Sequence, residues 1–288
     1  MKITVARALG TCFGVQDAID AAMDEAFRDN LTIIGQLVHN PQVVADLLAN
    51  GVRIVDGPEA QIATQNVMIT AHGAPASLKE RLRERGHTVF DASCPLVLKV
   101  HVKVAQLVRD GYFPVVIGQR NHVEVRGIVG DLVEYDVIAG VEEIDRLAPH
   151  PKIGIVCQTT QQVEVARSIA DTIRERYPDK TVHFVDTVCK PTKDRQEAVR
   201  ELADEVDVMI VVGGYNSSNT KKLKKVCDDR GLAAYHIERP EQIDPAWFAG
   251  KKHVGITAGT STPHTVIETV RRYIEQLDGA NRGVAPVN

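Results

Sequence analysis

The stretch Asp91-Ala92-Ser93-Cys94-Pro95-Leu96-Val97-Leu98-Lys99-Val100-His101 lies at a change from strand to helix. Residues 88–90 before it have the apolar pattern of a short strand, and a helical period of apolar residues continues after it to Val108. Cys94 therefore stands at the start of a predicted helix, with Pro95 suited to the first helical position. The positive end of the helix dipole favours a thiolate there, which makes Cys94 a candidate ligand or nucleophile. The alternative is a small buried core residue.

The composition is that of an ordinary globular protein. Of the 288 residues, 44% are hydrophobic and 25% are charged, a length and balance that favour two domains, with one large or three small domains as alternatives. The net charge of −4 provides no basic field for nucleic acid or an anionic membrane, so neither is an expected partner. The only basic cluster is Lys221-Lys222-Leu223-Lys224-Lys225, which is either a solvated helix face or an attractor of an anionic ligand.

The expected location is the cytoplasm. No stretch is long and apolar enough to span a bilayer, and residues 1–6 have the pattern of a strand rather than of a signal peptide. Disulfides are not expected, because the cysteines are odd in number and widely spaced in a chain without a secretion signal. Metal binding or catalysis is the better special use for these five residues, which are Cys12, Cys94, Cys157, Cys189 and Cys227.

The chain alternates strands, small polar loops and helices, which is typical of an α/β fold with parallel sheets. Nine strands are predicted, over residues 3–5, 32–35, 67–70, 88–90, 113–118, 153–157, 182–186, 208–212 and 253–257. The first helix is predicted over residues 15–27. In such sheets ligands collect at the carboxyl ends of the strands. Ten polar or reactive residues follow predicted strands, and we expect their loops to converge on one site: Cys12, His39, His72, Cys94, His122, Glu124, Thr159, Cys189, Ser217 and Ser261.

The spacing of three cysteines predicts three small α/β units. Cys12 and Cys94 lie 82 residues apart and Cys94 and Cys189 lie 95 apart, and either interval is long enough for one unit. The predicted units are 13–93 with Cys12 at its start, 94–186, and 187–278 together with 1–12, followed by a loose tail over 279–288. No clean sequence repeat accompanies this spacing, so the prediction depends on the element pattern alone.

These three cysteines do not have the paired spacing of zinc fingers or ferredoxins. Three thiolates would hold a zinc ion or an iron–sulfur cluster and leave one position open for a substrate. The alternative is that each is a structural residue. Cys157 lies inside a predicted strand and Cys227 inside a predicted helix, so both are expected in the core.

Two other groups of loop residues have alternative interpretations. The segments Asn216-Ser217-Ser218-Asn219 and Gly259-Thr260-Ser261-Thr262 open helices, where they would bind phosphate or act as ordinary N-caps. Three histidines are candidate zinc ligands, phosphate donors or plain loop residues: His39, His72 and His122. Glu124 would carry protons if it lay beside an electron-accepting centre, and otherwise is a polar residue at a helix start.

Taken together, these motifs resemble the 4-hydroxy-3-methylbut-2-enyl diphosphate reductase (LytB/IspH) family from Gly10 to about Thr265. The first matching motifs are Cys12-Phe13-Gly14-Val15, Val38-His39-Asn40-Pro41, Ala71-His72-Gly73 and residues 91–101. The later ones are His122-Val123-Glu124-Val125, Gln158-Thr159-Thr160, Asp186-Thr187-Val188-Cys189 with Arg195-Gln196, Asn216-Ser217-Ser218-Asn219, and Gly259-Thr260-Ser261-Thr262-Pro263. Each motif alone is weak, whereas the ordered set is specific.

The resemblance implies a trefoil of three small α/β units around a central cavity. It implies that Cys12, Cys94 and Cys189 hold a [4Fe–4S] cluster, and that the substrate is an allylic diphosphate. Its hydroxyl is removed as water to give isopentenyl and dimethylallyl diphosphates, with reduced ferredoxin or flavodoxin as electron donor. By the same resemblance Thr159 orients the hydroxyl and Glu124 supplies protons, with His122 among the catalytic residues. The residues implied around the diphosphate are His39, His72, His122, Ser217, Ser218, Asn219 and Ser261.

Some positions depart from the family pattern. Thr11 and Asp17 stand where Phe and Arg are common around the first cysteine, and Ser93 stands where Thr is usual. The loop before the proposed acid carries Asn121 and Val123 in place of Gly and Pro, and Pro191 replaces a frequent Ala. None of these changes removes a proposed ligand or donor. The alternatives are a relative that reduces another allylic or aryl alcohol, and a non-catalytic cluster sensor or phosphate-binding module.

Overall fold

The computed structural model describes residues 1–147 and 150–283, with the side chains of 280–283 excepted. The described residues form twelve strands and nine α-helices. The strands are β1 Lys2–Val5, β2 Leu31–Ile34, β3 Arg53–Val55, β4 Asn66–Ile69, β5 Thr88–Asp91, β6 Phe113–Ile117, β7 Asp136–Ile138, β8 Lys152–Cys157, β9 Thr181–Phe184, β10 Val208–Val212, β11 Ala234–Ile237 and β12 His253–Ala258. The helices are α1 Phe13–Ala22, α2 Pro41–Ala49, α3 Ala76–Glu84, α4 Pro95–Arg109, α5 Val123–Val129, α6 Val163–Arg176, α7 Lys190–Ala203, α8 Ser218–Asp228 and α9 His264–Gly283. No helix within the described ranges is long and apolar enough to cross a membrane.

The strands form three four-stranded sheets, and every pairing is parallel. The first sheet has the order β3-β2-β4-β5, the second β7-β6-β8-β9 and the third β11-β10-β12-β1. All three orders follow one scheme when the strands are counted as β2 to β5, β6 to β9, and β10 to β12 followed by β1. The second strand of each set lies at one edge of its sheet, and the fourth lies at the other edge. In the third sheet β1 takes the fourth place. The α/β fold class with three parallel sheets is therefore confirmed, and the topology contains the repeat that the sequence did not reveal.

Contacts divide the chain into two compact units. The smaller unit comprises Met1–Cys12, His39–Pro41 and Lys190–Asn288, and it contains the third sheet. The larger unit comprises Phe13–Val38 and Gln42–Cys189, and it contains the first and second sheets. The strands of each sheet come from within one of the three segments predicted above, while the boundaries of those three segments stay a prediction.

Both faces of each sheet are buried, which explains the continuous apolar strands. In β10 all five residues are buried, and Ile210 and Val212 contribute to one core while Met209 and Val211 contribute to another. The second sheet is divided in the same way between two cores. Residues of a parallel strand covered on both sides need no polar alternation, so a run such as 208–212 is recognisable in the sequence.

Three strands were missing from the prediction, and they occupy the same place in each sheet. They are the edge strands β3, β7 and β11, which have only three or four residues. Each is partly exposed and too short for a periodic pattern to emerge.

Two further predictions were wrong in their bounds. The first helix ends at Ala22 rather than at Phe27, because Asp24 starts a separate 3₁₀ turn by accepting a hydrogen bond from the amide of Ala26 at 2.9 Å. The tail predicted to be loose from Gly279 is helical to Gly283. Residues 284–288 lie outside the described residues.

Candidate active site

The three candidate ligand cysteines occupy equivalent positions in the three sheets. Each follows the fourth strand of its sheet, and its backbone amide donates to the carbonyl two residues beyond the third strand. The bonds are Cys12 N to Thr260 O at 3.1 Å, Cys94 N to Ala71 O at 3.0 Å and Cys189 N to Thr159 O at 3.0 Å. The same amide-to-carbonyl hydrogen bond thus holds the backbone of all three cysteines, although Cys12 belongs to the smaller unit and the other two to the larger.

Cys94 has the local geometry that the sequence predicts. It follows β5 and is the N-cap of α4, with Pro95 as the first helical residue. A Cβ atom added to Gly14 would lie 2.3 Å from the Cys94 Sγ atom, so the thiol packs directly against Gly14 and a side chain there would displace it. All three cysteines are half-buried. In the described part of each unit, no group of three or more His, Cys, Asp or Glu side chains could hold a metal ion.

The two remaining cysteines are core residues, as predicted. Cys157 and Cys227 are fully buried, and burial raises the pKa of the Cys227 thiol to about 12. A thiol with that pKa stays protonated at neutral pH and is a poor metal ligand.

The larger unit brings together His122, Glu124 and Thr159 through hydrogen bonds. The His122 side chain caps α5, and its Nδ1 atom accepts the amide of Glu124 at 3.2 Å. In the neutral ring the proton is therefore on Nε2. The Glu124 side chain is 1% exposed, and its Oε1 atom accepts the amide of Thr159 at 2.6 Å. The carboxylate therefore ties the loop after β6 to the loop after β8.

His72 joins this group from the first sheet of the same unit. Its ring lies edge-on to that of His122, with the ring centroids 5.7 Å apart. The Thr70 hydroxyl lies 3.5 Å from the His72 Nδ1 atom, at the limit of a hydrogen bond. Four of the predicted site residues of the larger unit are thus neighbours: His72, His122, Glu124 and Thr159.

Gln158 is a buried residue of this group whose role the sequence analysis did not assign. Its Oε1 atom accepts the amide of Gln119 at 3.1 Å, and its Nε2 atom donates to the Thr160 hydroxyl at 3.1 Å. A Cβ atom on Gly118 would lie 2.9 Å from Gln158, so a glycine is required at the end of β6. A glycine directly after a strand can indicate a close contact, so Gly118 was the feature of the sequence that could have indicated the contact with Gln158.

The smaller unit brings together the remaining diphosphate candidates. Ser217 is the N-cap of α8, and its Oγ atom accepts the amide of Thr220 at 3.3 Å. Ser218 and Asn219 are buried in the first turn. Among the described residues, neither amide atom of the Asn219 side chain has a hydrogen-bond partner. A buried, unsatisfied amide at a helix N-terminus is suited to an anion, because the helix dipole and the amide both attract negative charge.

His39 and Ser261 also lie in the smaller unit and contact each other. The Ser261 hydroxyl donates to the His39 carbonyl at 3.2 Å. A Cβ atom on Gly214 would lie 2.3 Å from that carbonyl, so the glycine permits the close approach of the two loops. Burial and the nearby Lys221 ammonium both lower the pKa of His39, which favours the neutral ring.

The repeat explains why these loops carry related residues. The fifth residue after the end of β2, β6 and β10 is His39, His122 and Ser217, respectively. A helix starts one or two residues later in every case, at Pro41, Val123 and Ser218. Equivalent loops therefore present a polar side chain at a helix start in all three sheets.

A scan against protein-family models matches residues 3–275 to the LytB protein family. The 4-hydroxy-3-methylbut-2-enyl diphosphate reductase of Aquifex aeolicus is 40% identical over 284 residues, which cover 96% of this chain and 97% of that protein. The reductase of Geobacter sulfurreducens is 38% identical over 98% of this chain and 100% of its own length.

Solved structures also match. A structure of an (E)-4-hydroxy-3-methyl-but-2-enyl diphosphate reductase, described as the terminal enzyme of the non-mevalonate pathway, has 40% identity, a TM-score of 0.67, and coverage of 96% of this chain and 99% of that one. The Plasmodium falciparum E-1-hydroxy-2-methyl-but-2-enyl-4-diphosphate reductase, at 24% identity, shares the fold, with a TM-score of 0.87 and coverage of 96% and 87%. By the extent of these matches, the chain belongs to the LytB family.

Proposed function

We propose that this chain is a reductase that removes the allylic hydroxyl of 4-hydroxy-3-methylbut-2-enyl diphosphate and forms isopentenyl and dimethylallyl diphosphates. Its family membership supports this substrate. The observation that carries the proposal is the buried Glu124, whose carboxylate accepts the Thr159 amide and whose backbone amide donates to His122. Loss of the hydroxyl as water consumes two electrons and two protons, and a carboxyl group beside the departing oxygen can supply protons.

We further propose that Cys12, Cys94 and Cys189 hold a [4Fe–4S] cluster. Thiolates are the usual ligands of such clusters, and the three residues share the same amide-to-carbonyl hydrogen bond. All three thiols are also only half-buried, which leaves them accessible to such a group. When bound, the cluster would supply single electrons and a Lewis-acidic iron to the allylic oxygen. Reduced ferredoxin or flavodoxin is the proposed donor, because the sequence contains no nucleotide or flavin motif.

The chain's own residues would bind the substrate and carry its protons. The Nε2–H of His122 and the ring of His72 are donors for anionic oxygen, while Thr159 orients the hydroxyl and Glu124 protonates it. His39, Ser217, Ser218, Asn219 and Ser261 would bind the diphosphate through neutral donors. Hydrogen bonds to charged oxygen are stronger than those between neutral groups, which favours several such donors around a diphosphate.

The experiment is turnover by anaerobically purified protein with a chemical reductant. We expect a brown, oxygen-sensitive protein that converts the allylic diphosphate to the two isomeric products. Protein that contains only zinc, or no metal, would contradict the cofactor. Conversion of another allylic or aryl alcohol in preference to the diphosphate would favour the family relative with a different substrate. Protein that binds the cluster but shows no turnover would favour the alternative of a non-catalytic cluster sensor.

A further inference from the structure

Arg195 is a buried cation whose role the proposed chemistry does not explain. It lies on α7, six residues after Cys189, and the residue is only 7% exposed. Its Nη2 atom donates to the carbonyl of Gly10 at 2.5 Å and lies 3.4 Å from the carbonyl of Leu9, while Nη1 donates to the carbonyl of Pro191 at 3.0 Å. The guanidinium therefore binds the backbone two and three residues before Cys12.

The backbone that Arg195 contacts has a special conformation. Gly10 has a φ of +74°, which favours glycine, and a Cβ atom there would lie 3.0 Å from the Ile267 side chain. On the far side of this segment, the amide of Cys12 donates to the carbonyl of Thr260 at 3.1 Å. The loop is thus held by Arg195 at Leu9 and Gly10 and by the loop after β12 at Cys12.

The repeat shows that the helix itself does not require an arginine at this position. The residues six positions after Cys12 and Cys94 are Ala18 and Val100, which are buried at 2% and 0% exposure. Small apolar residues satisfy the packing in those two repeats. Only in the third repeat is the equivalent residue charged. Its guanidinium binds the loop that carries a different candidate ligand, Cys12.

We propose that Arg195 is a positioning residue that holds the Cys12 loop in the geometry needed to bind the cluster. Charge-assisted hydrogen bonds to two successive carbonyls restrict the backbone one residue before Thr11 and so limit the positions of the thiol. Since Arg195 follows Cys189 closely in the chain, it links the helix after one ligand to the loop of another. The inference depends on the proposed function, because it assigns Cys12 as a ligand.

The test compares full-length wild type with Arg195→Gln, Arg195→Lys and the control Arg200→Gln. Arg200 lies on the same helix and pairs with Glu197 at 3.0 Å, so its substitution removes the same charge from a different position of α7. In protein freed of iron by a chelator, the rates of alkylation by iodoacetamide at Cys12 and Cys227 are measured by peptide mass spectrometry. Cys227 lies in the core of the same unit, so its rate reports global opening.

We expect the ratio of the Cys12 rate to the Cys227 rate to rise roughly tenfold in Arg195→Gln, because the loop opens locally when charged hydrogen bonds are lost. The ratio in Arg195→Lys should lie between those of wild type and Arg195→Gln, and the ratio in Arg200→Gln should equal that of wild type. In anaerobically reconstituted protein, Arg195→Gln has a lower iron content and an altered electron paramagnetic resonance spectrum.

A ratio that changes by less than about twofold in Arg195→Gln would overturn the proposal, because no local opening would have occurred. A parallel rise at Cys12 and Cys227 would also overturn it, by assigning Arg195 to general stability. Failure of the proposed function is recognised separately, because wild-type protein would then form no iron–sulfur cluster, while the alkylation ratio would still report on the loop.

Discussion

The two units use different chemistry in their candidate loops. In the smaller unit the loops present hydroxyls, a neutral histidine and an amide, and the Asn219 amide lacks a hydrogen-bond partner among the described residues. In the larger unit the loops present Glu124, which is bonded to Thr159, beside His122 and His72. The first set is suited to bind an anion, and the second to hold and move a proton. Equivalent strand ends of a repeated fold thus carry residues of different chemistry in the two units.

The largest effect is expected from Cys94→Ser, which removes a proposed cluster ligand from the larger unit. A hydroxyl is a poor ligand for iron, so we expect the cluster and all measurable activity to be lost together while the fold is kept. Iron and sulfide content and circular dichroism measure the two outcomes.

The matched control is Cys227→Ser, whose thiol has a pKa of about 12 and is not a ligand candidate. Its iron content should equal that of wild type. Full iron content in Cys94→Ser would exclude Cys94 as a ligand.

Glu124→Gln tests whether the larger unit transfers protons. The substituted side chain keeps an oxygen that can accept the Thr159 amide but cannot donate a carboxyl proton, so kcat should fall by roughly 10²- to 10⁴-fold. The cluster content should not change. Steady-state turnover with a chemical reductant measures kcat and KM.

The control is Glu134→Gln, which alters an exposed carboxylate. It should retain wild-type turnover. If Glu124→Gln raised only KM, Glu124 would belong with the binding residues and the contrast between the two units would fail.

Asn219→Ala tests the binding role of the smaller unit. Loss of the amide should weaken pyrophosphate binding about tenfold, because a donor to a charged oxygen is removed. Without ligand the variant should unfold at the same temperature as wild type or higher, since a buried polar group without a partner is removed. Calorimetry of binding and thermal unfolding measure the two effects.

Asn216→Ala is the control, because Asn216 is an exposed residue of the same loop. It should change neither property. A large drop in the unfolding temperature of ligand-free Asn219→Ala would mean that the amide stabilises the fold and is not reserved for a ligand.

The smallest effect is expected from the pH dependence of His39→Gln. Burial lowers the pKa of His39, so below the ordinary histidine value of about 6.5 the unfolded chain takes up a proton that the folded chain resists. Stability is therefore full above that pH and falls as the pH drops toward the lower folded-state pKa. Urea unfolding between pH 8 and 5 should give a shallower loss of stability for the variant.

Burial also lowers the pKa values of His101 and His236, so part of the pH dependence should remain in His39→Gln. Identical slopes for wild type and variant would contradict the assigned burial effect at His39.

Local sequence patterns predicted the α/β class, the position of Cys94 and the core cysteines. These depend on neighbours within a few residues, such as the apolar run 208–212 or Pro95 after Cys94. The same patterns missed β3, β7 and β11, because a three- or four-residue edge strand is defined by its pairing partner rather than by its own period. They also placed the end of the first helix too late, since the Asp24 cap competes with a continuing apolar face.

The candidate site was predicted from the strand-end rule and from family resemblance, and its chemical roles stay predictions. The bond from Glu124 to Thr159 joins residues 35 positions apart, and that from Arg195 to Gly10 joins residues 185 apart. No local pattern contains such pairs. Gln158 and Arg195 were therefore recognised only as letters within motifs, without their contacts.

The sequence by itself determined the nine longer or central strands and which polar residues end a strand, because backbone sterics, capping and hydrophobic period act over a few residues. Only the tertiary structure decided the order of the strands, including the place of β1 beside β12, and the partners of the buried Glu124 and Arg195 side chains. These depend on the burial of apolar surface between distant segments, which is non-directional and leaves little trace in any one stretch of sequence.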